Sequence, residues 1–268
     1  MAENTVKKIA TRESYGNSLK ELAEEFPNLV VLDADLAAAT KTGIFRKAYP
    51  DRHIDCGIAE SNMMGVAAGL SLVGKIPFVS SFAMFAAGRA FEQVRNSIGY
   101  PHLNVKIGAT HAGITVGEDG ATHQCNEDIA LMRTIPGMVV MCPSDDVEAR
   151  AAVRAALEYE GPVYIRFGRA AVPVINDHPG YHFEIGKGTV VREGKDVTIV
   201  ATGICVDSAL GAAKLLQTCK RPWHPDRTSL PEQQRNRTHR RHPAYRPSSQ
   251  VQGNVRTGSR RLHFPVRR

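Results

Sequence analysis

Short apolar runs rich in β-branched residues alternate with longer segments of helical periodicity along residues 7–217. Such alternation is typical of βαβ units, whose strands pair into a parallel sheet with helices on both faces. The sequence therefore predicts an α/β fold with a doubly wound parallel sheet. We expect strands at residues 29–32, 77–80, 104–108, 138–142 and 163–166. We expect helices at residues 11–25, 60–73, 86–98 and 145–159.

The pattern loosens between residues 168 and 195, which we interpret as a linker after a first domain over residues 1–167. A second unit then begins with an apolar run at 197–202, followed by a helical pattern that ends at Gln217. One strand and one helix are too few for an independently stable domain. Residues 196–217 are therefore predicted to be the start of a second α/β domain that this sequence does not complete.

The charge distribution separates residues 218–268 from the rest of the chain. This tail holds twelve Arg and one Lys against Asp226 and Glu232, a net charge of +11, whereas the remainder carries 21 basic and 25 acidic residues. Six prolines interrupt the tail, and no helical period runs through it. We interpret it as the product of a shifted reading frame or an aberrant terminus and expect it to be disordered. A genuine basic extension and a nucleic-acid-binding arm are the alternatives.

Composition limits the class of protein. No run approaches the roughly 18–20 apolar residues that a membrane helix needs, and the N-terminal residues lack the apolar stretch of a signal peptide. The cysteines show no CxxC spacing, which argues against a disulfide framework or a zinc site. They are Cys56, Cys125, Cys142, Cys205 and Cys219. We therefore expect a cytoplasmic protein without a membrane partner. Because we interpret the basic tail as an aberrant terminus, we expect no nucleic-acid partner either.

Side chains that could carry chemistry lie where the predicted strands end. In an open parallel sheet, ligands bind outside the carboxyl ends of the strands, which here gives segments 33–36, 57–62 and 110–124. The third segment places His111, Asp119 and His123 among glycines, and an ordered loop of this length is expected to line a site. These groups suit hydrogen bonding to a polyhydroxy substrate; metal ligation and a plain solvated loop are the alternatives.

Four other side chains have a structural interpretation beside a functional one. Glu60 opens a helix, where the helix dipole stabilises an acid whether or not it is catalytic. Phe82 and Phe85 suit a hydrophobic core as well as an aromatic platform for a ligand. Arg169 follows a strand end and is either an anion ligand or a solvated side chain.

Six motifs occur together in a fixed order. They are DADL at 33–36, DCGIAESNMMGVAAGL at 55–70, PFVSSFAMF at 77–85, GRAFEQVRNSI at 88–98, GEDGATHQ at 117–124 and GPVYIRFGR at 161–169. In order and spacing they resemble the pyrimidine-binding region of transketolase, and the start near the first strand resembles the C-terminal subunit of two-subunit transketolases. Deoxyxylulose-phosphate synthase and the β subunits of 2-oxo acid dehydrogenases are similar thiamine enzymes. Glu118 in the GEDG motif favours transketolase over the synthase.

The resemblance implies a thiamine diphosphate site. Glu60 matches the family's glutamate that hydrogen-bonds a ring nitrogen of the cofactor's aminopyrimidine and thereby activates the thiazolium carbon. Phe82 and Phe85 match aromatic residues packed around that pyrimidine. Asp35 and Leu36 match a segment near the thiazolium ring.

The resemblance also implies a sugar-phosphate site. His111, Asp119 and His123 match residues that bind donor and acceptor sugar hydroxyls, and the two histidines match groups that assist proton transfer. Arg169 matches a ligand of the sugar phosphate, for which its planar guanidinium is suited. Ala39 stands where many transketolases have a serine that contacts this phosphate, so we expect a weaker acceptor-phosphate contact.

The chain contains no GDG…N motif for magnesium and diphosphate. The resemblance therefore implies that Mg²⁺ and the diphosphate are held mainly by a partner, an N-terminal diphosphate-binding subunit, and that the two chains form a heterotetramer. The expected activity is transfer of a two-carbon ketol unit between sugar phosphates. The alternatives are the chemistry of the pyruvate-using synthase, that of the 2-oxo acid dehydrogenases, and an inactive truncated homologue.

Overall fold

A computed structural model describes residues 7–218. Eight strands occur in this part of the chain: β1 (Lys8–Ala10), β2 (Leu29–Asp33), β3 (His53–Asp55), β4 (Ile76–Phe82), β5 (Lys106–Thr110), β6 (Val139–Met141), β7 (Val163–Arg166) and β8 (Ala171–Pro173). Strands β2 to β7 form one parallel sheet in the order β3-β2-β4-β5-β7-β6, and β1 pairs antiparallel with β8. The predicted parallel α/β architecture is confirmed.

Helical segments connect the strands. The α-helices are α1 (Thr11–Leu22), α2 (Ala37–Thr40), α3 (Gly43–Ala48), α4 (Glu60–Leu72), α5 (Phe91–Gln93), α6 (Asp128–Arg133), α7 (Asp146–Glu158) and α8 (Cys205–Thr218). A 3₁₀ turn covers Pro50–Arg52, and π-helices cover Met84–Arg89 and Val94–Gly99.

The sheet separates two apolar cores. On one face, α4, the two π-helices and α6 pack against alternate side chains of the strands, with Met63, Met64 and Ile98 fully buried. On the other face, α1, α3 and α7 pack around Tyr15 and Phe45. Helices on both faces make the sheet doubly wound, as the alternating sequence pattern predicted.

The prediction of one regular helix over residues 86–98 is wrong, because this segment is a series of three shorter helices. Two π-helices flank the three-residue α5, and Ala90 (φ −97°, ψ 13°) separates the first π-helix from α5. A π-turn accommodates one extra residue per turn without breaking the apolar face, so the sequence pattern still looks helical. The first π-helix begins at Met84, two residues after β4 ends at the carboxyl edge of the sheet.

The expected strand over 197–202 is absent from the described chain. These residues have no regular structure, and Val200 is 88% exposed. An extended apolar run becomes a strand only when a neighbouring strand takes up its backbone hydrogen bonds, and no described strand lies beside it. The following helix, α8, is present but buries none of its residues.

The segment expected to be a linker, 168–195, begins with β8, which is tied to the first domain through β1. The predicted basic tail lies outside the described residues apart from Thr218, the last residue of α8. Among residues 7–218, no helix is both long enough and apolar enough to span a bilayer.

Asp145 joins the start of α7 to the segment after β8. Its carboxylate is fully buried and accepts a hydrogen bond from the backbone N–H of Glu148 at 2.9 Å, which caps the helix. Its Oδ2 also accepts the N–H groups of Ile175 and Asn176, both at 2.7 Å. One side chain therefore fixes both a helix terminus and the chain after β8.

Replacing Asp145 by Ala should lower the free energy of unfolding by about 3 kcal/mol, because it removes the cap and leaves the Ile175 and Asn176 amides without an acceptor. Asp146→Ala is the matched control. Its carboxylate pairs with Arg150 four residues later, and losing such a pair costs about 0.5 kcal/mol. Urea unfolding followed by far-ultraviolet circular dichroism measures both, and equal losses would contradict this role of Asp145.

Candidate functional site

The predicted site residues lie at one edge of the parallel sheet. Asp35 and Leu36 follow β2, Glu60 lies five residues after β3, and Phe82 ends β4. The loop that carries His111 and His123 follows β5, and Arg169 follows β7. Because all of these strands are parallel, their carboxyl ends point the same way, which is where open α/β sheets bind ligands.

An aromatic cluster forms the centre of this edge. The rings of Phe82 and Phe85 stack with centroids 5.8 Å apart and planes 12° apart. His111 stacks on Phe82 at 3.9 Å, and His123 meets Phe85 edge-on at 5.2 Å. Phe82 is 6% exposed, whereas Phe85 is half-buried. Phe82 therefore fits the interpretation as a core residue, and the more exposed Phe85 fits the interpretation as an aromatic platform for a ligand.

His111 is held in a defined protonation state by its neighbours. Its Nε2 lies 3.4 Å from Nη1 of Arg12, and its Nδ1 lies 2.9 Å from the hydroxyl of Thr110. A guanidinium only donates hydrogen bonds, so Nε2 accepts and the proton of the neutral imidazole is on Nδ1, which donates to Thr110. His111 also has a left-handed backbone (φ 57°), which costs free energy and is common at functional sites.

Electrostatics favour the same neutral form. Burial, together with the positive charges of Arg12 and Arg169, lowers the pKa of His111 to about 4, while the negative charge of Asp119 opposes the shift. The imidazole is therefore uncharged at neutral pH. In this state Nε2 can accept a hydrogen bond, whereas taking up a proton adds a positive charge near the guanidinium groups of Arg12 and Arg169.

Glu60 lies at the first residue of α4 with a buried carboxylate. Nη1 of Arg89 is 3.1 Å from Oε2 and 3.3 Å from Oε1 of Glu60, and the Arg89 side chain is 55% exposed. The guanidinium also lies over the Phe85 ring, 4.8 Å from its centroid. Arg89 thus connects the buried carboxylate to the exposed side of the aromatic pair.

The loop after β5 carries two exposed acids, and one of them pairs with Arg169, which follows β7. Arg169 donates to Oε1 of Glu118 at 2.6 Å, and both Glu118 and Asp119 are exposed. A hydrogen bond from its own backbone lowers the pKa of Glu118, as does the positive charge of Arg169. His123 is half-buried, and its Nδ1 lies 2.9 Å from the Thr122 hydroxyl. This face presents the Arg169 guanidinium, two carboxylates and the His123 imidazole at least partly to solvent.

Asp35 and Leu36 lie on the loop at the end of β2. The buried carboxylate of Asp33 accepts the N–H of Leu36 and, through Oδ2, the hydroxyls of Thr40 and Thr42 at 3.0 and 2.8 Å. Burial raises the pKa of Asp33, and these hydrogen bonds oppose the rise. Asp35 is exposed and Leu36 half-buried. The loop is thus organised from beneath by a residue that was not among the predicted site residues.

Two arginines were missed by sequence reasoning. Arg12 lies in the first turn of α1, where it donates to the carbonyl of Ala39 at 2.7 Å besides contacting His111, and its buried Nε has no partner among the described residues. Arg89 contacts Glu60, which is 29 residues away in sequence. Neither contact follows a local spacing rule, so only the fold brings these partners together.

The described residues offer little to a metal ion. In the range 7–218, no group of three or more His, Cys, Asp or Glu side chains is arranged to hold one. Stacked aromatic rings, a buried carboxylate and two guanidinium groups instead suit a flat heteroaromatic ring and an anion.

Comparisons with known proteins agree on one family. A family model described as the transketolase pyrimidine-binding domain matches residues 7–174, and one described as the transketolase C-terminal domain matches residues 186–220. A putative transketolase C-terminal section from Methanocaldococcus jannaschii is 53% identical over 207 residues, which cover 77% of this chain and 66% of that protein. A 6-deoxy-6-sulfo-D-fructose transketolase subunit from a Clostridium species is 47% identical over 205 residues, 76% of this chain and 63% of that protein.

A solved structure described as a split-gene transketolase in an inactive β4 tetramer aligns with a TM-score of 0.72 at 61% identity. The alignment covers 79% of this chain and 68% of that one. The chain therefore spans about two thirds of the length of these relatives.

Removing the Arg12 charge should raise the pKa of His111 toward its ordinary value. In the parent, the depressed pKa means that the unfolded chain takes up a proton, and the folded chain does not, as the pH falls from 6.5 to about 4. His111 therefore lowers stability in that window, and Arg12→Met should lessen this loss. An NMR titration of the imidazole measures the pKa, with Lys20→Met as a control away from the site. An unchanged pKa in Arg12→Met would show that the Arg12 charge does not contribute to the shift.

Proposed function

The chain belongs to the transketolase family of thiamine-dependent enzymes, and we propose that it is one subunit of a two-subunit transketolase that contributes the aminopyrimidine half of a thiamine diphosphate site. The observation that carries this proposal is the contact chain from the buried Glu60 carboxylate through Arg89 to the stacked Phe85 and Phe82 rings. A carboxylate and the more exposed ring of an aromatic pair are thus joined through one guanidinium, and an aminopyrimidine suits both.

The residues present fit the pyrimidine portion of the cofactor. A flat heteroaromatic ring stacks on an aromatic face, and Phe85 is half-buried, with Phe82 supporting it from the core. Glu60 is buried at a helix N-terminus, where its carboxylate is fixed in direction by the helix and by Arg89. When bound, thiamine diphosphate supplies the carbon nucleophile that takes up the two-carbon unit. Glu60 holds or releases the proton at the pyrimidine ring nitrogen.

The diphosphate and Mg²⁺ are assigned to a partner subunit. No suitable cluster of metal ligands occurs among residues 7–218, and the sequence has no GDG…N motif. We therefore propose that an N-terminal diphosphate-binding subunit completes the site and that the two chains assemble as a heterotetramer. The description of a 61% identical relative as a split-gene transketolase supports a two-gene arrangement.

Sugar phosphates are the proposed substrates. Arg12 and Arg169 provide positive charge near His111, and guanidinium groups bind phosphate in a bidentate manner. Neutral His111 accepts a proton at Nε2 once Arg12 turns toward the anion, and His123 and Asp119 bind sugar hydroxyls. Ala39 offers no hydroxyl to the phosphate, so these arginines carry more of the affinity. One relative is named for a sulfosugar substrate, so the proposal names the substrate class and no single sugar.

The alternative functions, those of the pyruvate-using thiamine enzymes, differ from the proposed one in the co-substrate that they require. The two-subunit complex should transfer a ketol unit from xylulose 5-phosphate to ribose 5-phosphate without pyruvate, and added pyruvate should not be consumed. Product formation that requires pyruvate would replace this proposal by synthase or dehydrogenase chemistry.

Glu60→Gln should lower the turnover of the two-subunit complex by about 100-fold or more, because it removes the group that exchanges a proton with the pyrimidine. Glu24→Gln is the matched control, since Glu24 is exposed just after α1 and away from the sheet edge. Turnover with saturating thiamine diphosphate and magnesium is the measurement, and thermal unfolding checks that both variants fold. Activity within a few-fold of the parent would remove Glu60 from the mechanism.

A further inference from the structure

One carboxylate oxygen joins the two loops that carry the proposed cofactor-facing residues. Oδ1 of Asp55 accepts the N–H of Asp35 at 3.1 Å and the N–H of Gly57 at 2.9 Å. Asp35 precedes Leu36 on the loop after β2, and Gly57 lies three residues before Glu60 on the loop after β3. The spacing between these loops therefore depends on a side chain that the sequence did not single out.

Strand pairing places Asp55 where it can reach both amides. Asp33 and Asp55 are the last residues of β2 and β3 and are direct partners in the parallel register. The N–H of Cys56 also bonds to the carbonyl of Asp33 at 2.9 Å, which continues the pairing by one residue. Beyond this point the chains diverge, and the Asp55 carboxylate bridges them.

The backbone at Asp35 is unfavourable, and the contact with Asp55 offsets this. Asp35 has φ 59°, a left-handed conformation in which a non-glycine residue is strained, although Asp tolerates it better than most. Gly57 has φ 67°, which glycine adopts without strain. Hydrogen bonds to a carboxylate are stronger than those to a neutral acceptor, so the shared Oδ1 stabilises the strained turn at Asp35 and ties it to the turn at Gly57.

The carboxylate of Asp33, the strand partner of Asp55, makes different contacts. It is fully buried and holds Leu36, Thr40 and Thr42 from beneath the loop. Asp55 is exposed, and its described side-chain hydrogen bonds are those to Asp35 and Gly57. Asp55 is therefore placed to affect loop geometry with little effect on the core.

We propose that Asp55 is a positioning residue that holds the Asp35–Leu36 segment and the segment leading to Glu60 at a fixed spacing, and so sets the fit of the cofactor between them. The inference rests on the proposed function, which names what the two segments face. The coupling of the two loops is a property of the chain itself and can be measured without the cofactor.

The first test measures amide hydrogen exchange by NMR in the full chain alone. Asp55→Ala should speed exchange at Asp35 and at Gly57 together by about five- to tenfold, the change expected from losing one ordinary hydrogen bond. Asp55→Asn retains an oxygen acceptor and should restore most of the protection. Asp51→Ala is the matched control, because it removes the same charge from an exposed position four residues earlier. If Asp55→Ala does not fold, Asp55→Ser, whose hydroxyl is too short to reach both amides, replaces it.

The second test uses the two-subunit complex. Asp55→Ala should weaken thiamine diphosphate binding by about tenfold and lower kcat by a similar factor, while KM for the sugar phosphates stays within about twofold. Asp55→Asn should stay close to the parent in both quantities.

The outcomes separate the two proposals. Unchanged exchange at Asp35 and Gly57 in Asp55→Ala would overturn the coupling. Faster exchange with unchanged cofactor affinity would overturn the positioning role. A parent complex that binds no thiamine diphosphate would instead refute the proposed function and with it the cofactor-facing part of this inference, whereas the exchange result would still decide whether Asp55 couples the loops.

Discussion

Parallel pairing on both sides of β2 is the constraint on which the site depends. Asp33, the last residue of β2, is opposite Asp55 on one neighbouring strand and Ser80 on the other. This register brings loops that start at residues 34, 56 and 83 to one edge, although they are far apart in sequence. A slip of one residue would turn every strand side chain to the opposite face and would separate Glu60 from the aromatic pair.

The edge divides into two electrostatic regions. Near β4 and α4, the Glu60 carboxylate is buried and meets a single half-exposed guanidinium. Near β5 and β7, His111 is kept neutral by burial and by two arginines. A flat ring that shares a proton suits the first region, and an anionic, hydroxylated substrate suits the second. The two regions meet at Phe82, which stacks on Phe85 and on His111, and together they are what the proposed function takes as half of a reaction site.

Sequence periodicity was enough to predict the parallel sheet and the positions of its central strands, because buried β-branched runs have few alternatives. It failed where context decides: the π-turn at Met84–Arg89 keeps a helical pattern, and residues 197–202 are apolar but have no described neighbouring strand. Motif resemblance placed Glu60, Phe82 and His111 at one edge, and their chemical roles stay predictions. Arg12, Arg89 and Asp55 were missed, since each acts through a partner that only the tertiary fold brings near.

A crystal structure of this chain with a diphosphate-binding subunit, thiamine diphosphate and magnesium tests the central claim most directly. The claim predicts that the cofactor lies between the two chains, with a Glu60 carboxylate oxygen about 2.6–3.2 Å from a pyrimidine ring nitrogen. It also predicts that the pyrimidine ring lies against Phe85 and that the diphosphate contacts only the partner. A pyrimidine bound away from Glu60, or a diphosphate held by residues of this chain, would contradict the account.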